Sequence, residues 1–587
     1  MVDNSEIYQR YELERNKRLR NDGRKQYHKL DGQFANFNDA PWIKQSNTRE
    51  VVNLDTQTLI VGGGLGGILA AINLRKKNID DFIIVDNGED FGGVWYWNRY
   101  PGCMCDIESY IYLPLLEEMD FIPSSKYIPA SEIATYLRKL SQKYKLYERT
   151  YFQTAFKQAS WDEERGRWTS MTSLGDSIIS KYVVLSTGFL STPKLPSIPG
   201  IADFKGKSFH TSRWDYDYTG GNANGDLQRL SDKNVAVIGT GASAVQCIPH
   251  LASYAKQLLV FQRTPVAVGG QCNTPTDVEW FKNQRAGWQK ARSENFNRLM
   301  EGIPEEVNLV DDEWTDLTKY FDYENKNLSE AWENADLRKM DEIRKRVIEK
   351  VKDEALARKL MPWYKWLCKR PCFHGSYLDS FNQENVHLID TSGKGVDKIT
   401  EDSIIVDDQR YPLDCIIYAT GYEVGTAFES RCNLKMFGRN GVSLTEVWGK
   451  SHQSLHGFMT RNFPNMLIMS LNQSALAVNF SYMISEQAKH VTYIIEQSQR
   501  MQLWAIEPYA EAEAAWSQEV LKTGARTFDY HVNCTPSFFN EEGKLNDDAI
   551  KKGPYGGGAL NFVEILNQWR EKGDMAGLEL TSGKIMT

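Results

Sequence analysis

The sequence predicts an α/β fold with two Rossmann-like dinucleotide-binding domains, a helical insertion and an N-terminal extension. Three observations predict it. A strand-like run, "TQTLIVGGG", breaks into a glycine turn at Gly62, Gly64 and Gly67, and a helix-like run comes next. The same order returns at "KNVAVIGTG", with Gly239, Gly241 and Ala244 in the turn. Around these units lie further short apolar runs and one long charged stretch, the mixture expected where helices cover a parallel sheet.

In chain order, residues 1 to about 50 form a polar extension. Within it "EIYQRYELERNKRLR" suits an amphipathic helix, with an irregular tail after it. Residues 51–195 open with a βαβ unit over 56–87: a strand, the helix "GGILAAINLRKKN", and the strand "DFIIVDN". Residues 196–385 hold a second unit over 233–263, whose helix Pro249 would kink. Inside this domain, about 275–360 is dense in charge and helix formers and reads as a helical insertion. Residues 386–587 return to strands at "NVHLID" and "LDCIIYATGYE". Two late helices come after them, "YMISEQAKHVTYIIEQSQRM" and "ALNFVEILNQWREKG".

Composition removes several functions. The chain has 69 Lys and Arg against 77 Asp and Glu, mixed throughout, for a net charge of −8. That leaves no basic patch for nucleic acid or anionic lipid. The apolar stretch "NMLIMSLNQSALAVNFSYMI" carries Asn472, Gln473 and Asn479, and so reads as a core strand and helix, not a membrane span. The charged N-terminus lacks the apolar region of a secretory leader. Nine cysteines show neither a disulfide framework nor metal-ligand spacing. They read as reduced thiols of a cytoplasmic protein without a bound metal. The 16 Trp and 28 Tyr suit flat aromatic cofactors, and core packing explains them equally well.

The two turns differ in the charge that stands downstream of each. Glycines let the backbone approach a pyrophosphate, and the helix behind supplies free N–H groups and a positive dipole end. Asp86 stands 24 residues after Gly62, where a carboxylate accepts hydrogen bonds from ribose hydroxyls. The matching position after Gly239 is Arg263, with Thr264 next to it. Arginine binds a 2′-phosphate bidentately where aspartate would repel it; a solvated surface charge is the plain alternative. Opposite charges at one offset suggest FAD in the first unit and NADPH in the second. The second turn then offers Thr240, Gly241, Ala242, Ser243, Ala244 and Gln246. A flavin and NADPH together imply redox chemistry. Disulfide reductases of this architecture need two cysteines four residues apart after the first unit, and Cys103-Met104-Cys105 does not supply them.

At "FKGKSFHTSRWD" the chain resembles type I Baeyer–Villiger monooxygenases. Phe204, Gly206, His210, Trp214 and Asp215 match the fingerprint F-x-G-x-x-x-H-x-x-x-W-[P/D]. Four other segments are similar to the family's motifs. "GGVWYWNRYPGCMCDIES" at 92–109 resembles its flavin-side segment, with Gly93, Trp95 and, just beyond, Tyr112. "FQRTP" at 261–265 resembles its NADP phosphate site, "KRP" at 369–371 its catalytic Lys-Arg pair, and "YATGYE" at 418–423 its second flavin turn, at Gly421. Flavin-side motifs on both sides of the second unit imply a discontinuous FAD domain. "NCTPSFFNEEG" at 533–543 is similar to the "CTPGYYNNEG" of the subgroup acting on large-ring ketones or steroids. Here Ser537, Phe538 and Phe539 replace Gly, Tyr and Tyr.

The resemblance implies an FAD- and NADPH-dependent oxygenase. It would insert one atom of O2 beside a ketone carbonyl, through a C4a-peroxyflavin, to give an ester or lactone. The substrate would be a small-molecule ketone, bulky or macrocyclic; the oligomeric state is left open. Arg370 would carry the positive charge that the anionic intermediates need, with Asp106 orienting it. Lys369 would join Arg263 and Thr264 at the 2′-phosphate. His210 would be a hinge-region contact to backbone, not an acid or base. Plainer readings stand beside these: an exposed basic loop at "CKRPC", and a helix N-cap for Asp106. Two other functions compete, an N- or S-oxygenating flavin monooxygenase and a non-catalytic flavin-binding scaffold.

Overall fold

The computed structural model describes residues 4–44 and 49–583. Two sheets organise it. In the first, the strand Asn53–Val61 lies between Phe82–Val85 and Ser177–Leu185, parallel to both. Its apolar run is continuous because both faces are covered: Leu59 and Ile60 are fully buried, each in a different core cluster. The strands Phe156–Asp162 and Arg167–Thr172 extend this sheet antiparallel. Lys435–Phe437 and Met466–Ile468 join it from late in the chain.

The second sheet is wholly parallel, in the order Val386–Asp390, Gln257–Gln262, Asn234–Ile238, Cys415–Tyr418, Lys207–His210. The expected domain boundary between 385 and 386 is therefore corrected. The strands at 386–390 and 415–418 belong to the second unit, and the first resumes near 435. A short apolar strand carries no mark of which sheet it will join; pairing across long crossovers decides that.

Helices Trp288–Met300, Leu328–Lys350 and Glu354–Leu360 fill most of the insertion. The expected late helices are Phe480–Arg500 and Ala559–Lys572, and a third, Ala510–Val532, runs between them. Its alanine-rich first half, "AEAEAAWSQEV", offers few large apolar residues from which to read a period. Pro249 sits inside the helix Ala242–Tyr254. The N-terminal helix Asn4–Asn16 buries Tyr11 and Glu14 instead of an apolar stripe. Arg344 donates to the Tyr11 hydroxyl, and Arg18 to the Glu14 carboxylate.

The cysteine expectation is corrected for one pair. Cys368 and Cys534 form a disulfide across 166 residues, and seven cysteines remain free. Sequence spacing could not pair residues that only the tertiary fold brings together. Among the described residues no helix is long and apolar enough to cross a membrane, and no His, Cys, Asp or Glu group could hold a metal ion.

Candidate active site

The first glycine turn leaves Gly62 at φ +113, and a Cβ on Gly67 would stand 1.8 Å from the Gly62 carbonyl oxygen. Only glycine fits there. Asp86 closes the turn: one carboxylate oxygen accepts from Gly63 N–H and the other from Gly88 N–H, both at 2.6 Å. Burial pushes this carboxyl up, and the two N–H donors work against it. The flavin-side segment docks directly on the turn. A Cβ on Gly93 would meet the Gly64 Cα at 2.7 Å. Trp95 donates its indole N–H to the Tyr112 hydroxyl at 3.0 Å. These backbones approach closely enough to fit an FAD pyrophosphate at the helix Leu65–Lys76.

The second turn repeats this geometry. Gly239 has φ +111, and a Cβ there would meet the Ala419 carbonyl at 2.5 Å. Gly241, at the N-terminus of the helix Ala242–Tyr254, has open space before it. The Thr240 hydroxyl donates to the Thr264 carbonyl at 2.7 Å. Ala244 is buried in the core beneath the turn, where its methyl group packs. Tyr100 donates to the side-chain oxygen of Gln246, whose amide donates to the Met104 carbonyl. Ser243 also lies within hydrogen-bonding reach of Tyr100. The segment 92–109 thus ties the two units together.

Arg263 and Thr264 come directly after the strand Gln257–Gln262, and the fold adds partners from four distant segments. Arg263 donates to the Gln26 side chain at 2.7 Å. Arg18 donates to the Arg263 carbonyl and to the Thr264 hydroxyl, at 3.1 and 3.0 Å. Lys194 and Glu542 form an ion pair at 3.1 Å, and Glu542 lies 3.9 Å from Arg263. The Lys369 ammonium donates to the Pro536 carbonyl at 2.8 Å. Burial, with Arg263 beside it, brings Lys369 down to about 7 against the opposing pull of Glu542. Arg18, Gln26, Lys194 and Glu542 were missed by sequence reasoning. The first three showed only charge or polarity in connectors; Glu542 lies in the segment "NCTPSFFNEEG", but nothing there linked it to Arg263.

One residue past Lys369, Arg370 makes a two-pronged pair with Asp106, at 2.6 and 2.7 Å. Asp106 is 6% exposed, whereas Arg370 keeps 44% of its side chain open. Burial lowers Arg370, but the Asp106 charge and hydrogen bonds outweigh it and hold it above its ordinary value. Trp314 was also missed. It comes from the insertion, donates to the Asp106 carbonyl at 3.1 Å, and lies 5.7 Å under the guanidinium. It is one of four tryptophans in the charged insertion, and their positions gave no spacing that singled it out.

The fingerprint residues lie elsewhere. Phe204 packs on the second sheet, and Gly206 faces the Asp414 carbonyl, where a Cβ would stand 2.6 Å away. Trp214 is buried and donates to Thr219. Asp215 caps the turn Tyr216–Thr219 and pairs with Lys207. His210 Nδ1 accepts the Ser212 N–H, and the ring packs against Tyr422 at 5.6 Å. Burial, helped by Arg213, outweighs the nearby Gly421 backbone and leaves this ring neutral, at about 3. Gly421, at φ +80, accepts from the Lys194 N–H.

Two glycine turns, each opening a helix behind a buried strand, define a fold built to hold two dinucleotides. A family model described as pyridine nucleotide-disulphide oxidoreductase matches residues 59–272. The cysteines that name would suggest are free here at 103 and 105, and burial pushes both thiols up, Cys103 to about 12. The neopentalenolactone D synthase of Streptomyces avermitilis is 44% identical, covering 99% of this chain and 100% of the relative. A Baeyer–Villiger monooxygenase of Streptomyces coelicolor is 40% identical over 96% of this chain and 95% of its own. The solved polycyclic ketone monooxygenase of Thermothelomyces thermophila matches with a TM-score of 0.93 and 34% identity, covering 98% of this chain and 99% of that one.

The chain belongs to the Baeyer–Villiger monooxygenase family. It is an FAD- and NADPH-dependent oxygenase of a small-molecule ketone, as solved members of the fold with FAD and NADP bound illustrate. This membership selects the first of the three functions weighed from the sequence.

Proposed function

We propose that this enzyme converts a bulky, polycyclic or macrocyclic ketone into an ester or lactone, with Arg370 as the catalytic charge. The observation that carries the reading is the two-pronged Asp106–Arg370 pair, buried on the carboxylate side and open on the guanidinium side. Bound FAD supplies oxygen activation, and NADPH supplies the hydride that reduces it. The reaction passes through anionic oxygen, and arginine stays protonated throughout. A full charge about 4 Å from that oxygen contributes about 4 kcal/mol at an effective dielectric near 20. Expressed only in the transition state, this is roughly a thousandfold in rate. Asp106 fixes the guanidinium plane, and Trp314 supports it from below.

Arg263, Thr264 and Lys369 read the 2′-phosphate of NADPH in this proposal. The substrate class rests on the "NCTPSFFNEEG" segment and on the full-length likeness to a polycyclic ketone monooxygenase. A cytoplasmic location fits the demand for NADPH.

The test is Arg370→Ala in the FAD-loaded enzyme, with Arg370→Lys beside it. The Ala variant should keep its flavin and oxidise NADPH yet release no oxygenated product, and Lys should restore a fraction. Wild-type ester formation by Arg370→Ala would overturn the assignment. Monocyclic, polycyclic and macrocyclic ketones, scored for gain of one oxygen by mass, test the substrate class. A preference for small single rings would overturn it.

A further inference from the structure

The cation cluster at the second site already holds an anion of its own. Glu542 is 6% exposed and points among residues from three separate segments. Its Oε1 accepts from Lys194 at 3.1 Å and from the Tyr27 hydroxyl at 3.2 Å. Its Oε2 is buried, has no hydrogen-bond partner among the described residues, and lies 3.9 Å from the Arg263 guanidinium. Lys369 adds a third positive charge near it.

The loop that delivers this carboxylate is held firmly. Cys534 is bonded to Cys368, Ser537 donates to the Cys368 carbonyl, and Lys369 donates to the Pro536 carbonyl. Glu541 and Glu542 both adopt left-handed backbone, φ 54 and 57. That conformation is unfavourable for a side-chain-bearing residue and persists only where the surroundings impose it. A small cleft bounded by Tyr27, Lys194, Glu541 and Glu542 opens beside the pair.

We propose that Glu542 is a specificity-determining residue: its carboxylate stands in for the 2′-phosphate of NADPH, and the incoming phosphate must displace it. This rests on the reading of Arg263, Thr264 and Lys369 as the phosphate site. The chemistry matches in both states. A carboxylate and a phosphate oxygen make the same ionic hydrogen bonds to lysine and arginine. The two anions cannot share one small pocket without repulsion. The half-used carboxylate, with Oε2 facing Arg263 beyond hydrogen-bonding distance, is the weaker occupant. NADH has no phosphate to exchange for Glu542, so the residue weakens NADPH binding and leaves NADH binding alone.

Calorimetric titration of the FAD-loaded enzyme with adenosine 2′,5′-bisphosphate and with AMP tests this without turnover. Glu542→Gln should bind the bisphosphate about tenfold more tightly, the equivalent of about 1.4 kcal/mol of relieved repulsion, and AMP unchanged. Glu542→Asp, which keeps the charge but draws it back from Arg263, should fall between. Weaker or unaltered bisphosphate binding by Glu542→Gln, or an equal change for AMP, overturns the inference. Arg263→Ala separates the two levels. If it leaves the bisphosphate affinity intact, the phosphate-site reading itself fails. If it lowers that affinity while Glu542→Gln does not raise it, only the role of Glu542 fails.

Discussion

The two glycine turns have nearly the same backbone and very different surroundings. Gly62 and Gly239 share φ values of +113 and +111, and the helix caps Gly64 and Gly241 share φ of −79 and −78. The first turn is completed locally, since Asp86 is bonded by Gly63 and Gly88 within the same βαβ unit. The second is completed by Arg18, Gln26, Lys194, Lys369 and Glu542, drawn from most of the chain's length. Recognition of a pyrophosphate is a property of one local motif. Discrimination of a further phosphate is, on the proposed reading, a property of the assembled fold.

The largest test of that contrast is at the third turn position. Gly67→Ala places a methyl group 1.8 Å from the Gly62 carbonyl, while the second turn already carries Ala244 at the same place. Gly67→Ala should be recovered without flavin absorbance, since the turn cannot keep its shape. Ala244→Gly should keep flavin and shift the thermal midpoint by about 1 °C, what a glycine costs within a helix of a chain this long. Comparable flavin loss in both would show that the second turn is as tightly built as the first.

A smaller effect separates the sites by pH. Burial and Arg263 outweigh Glu542 and bring the Lys369 ammonium down to about 7. Below that pH it is charged and attracts a 2′-phosphate; above it the charge is lost. The Michaelis constant for NADPH should therefore rise about fivefold from pH 7 to 8, as the protonated fraction falls. That for NADH should stay nearly flat. Lys369→Arg, charged throughout, should abolish the rise. Parallel profiles for both cofactors would remove Lys369 from the phosphate site.

The same contrast explains what the sequence could reveal. Both turns, Asp86 and the insertion were legible because each is written in contiguous residues with a fixed period or spacing. Arg263 was legible by analogy with Asp86. Arg370 and Asp106 came only through the family resemblance, since 264 residues separate them and no spacing rule links them. Trp314, Lys194 and Glu542 were not legible as site residues. Each acquires its role from a tertiary neighbour, and no local pattern records that neighbour. The misplaced boundary at 385 and the unforeseen Cys368–Cys534 bond have the same origin.

The smallest expected effect tests the covalent part of the second site. Cys368 precedes Lys369, and its bond to Cys534 anchors the loop that carries Glu542, whereas the first site has no such tie. Protein denatured directly in alkylating agent without reductant should take up seven labels, one for each free cysteine of the structure, and nine when it is reduced first. Nine from the start would mean that the pair stays reduced in the cell. Closing a loop of 166 residues also limits the unfolded chain. Cys534→Ser should therefore lower the thermal midpoint by roughly 2 to 3 °C, for a cost of about 2–4 kcal/mol spread over a large chain. Flavin content should not change, because nothing in the first turn depends on this loop. Flavin loss in Cys534→Ser would mean that the two sites are not built independently.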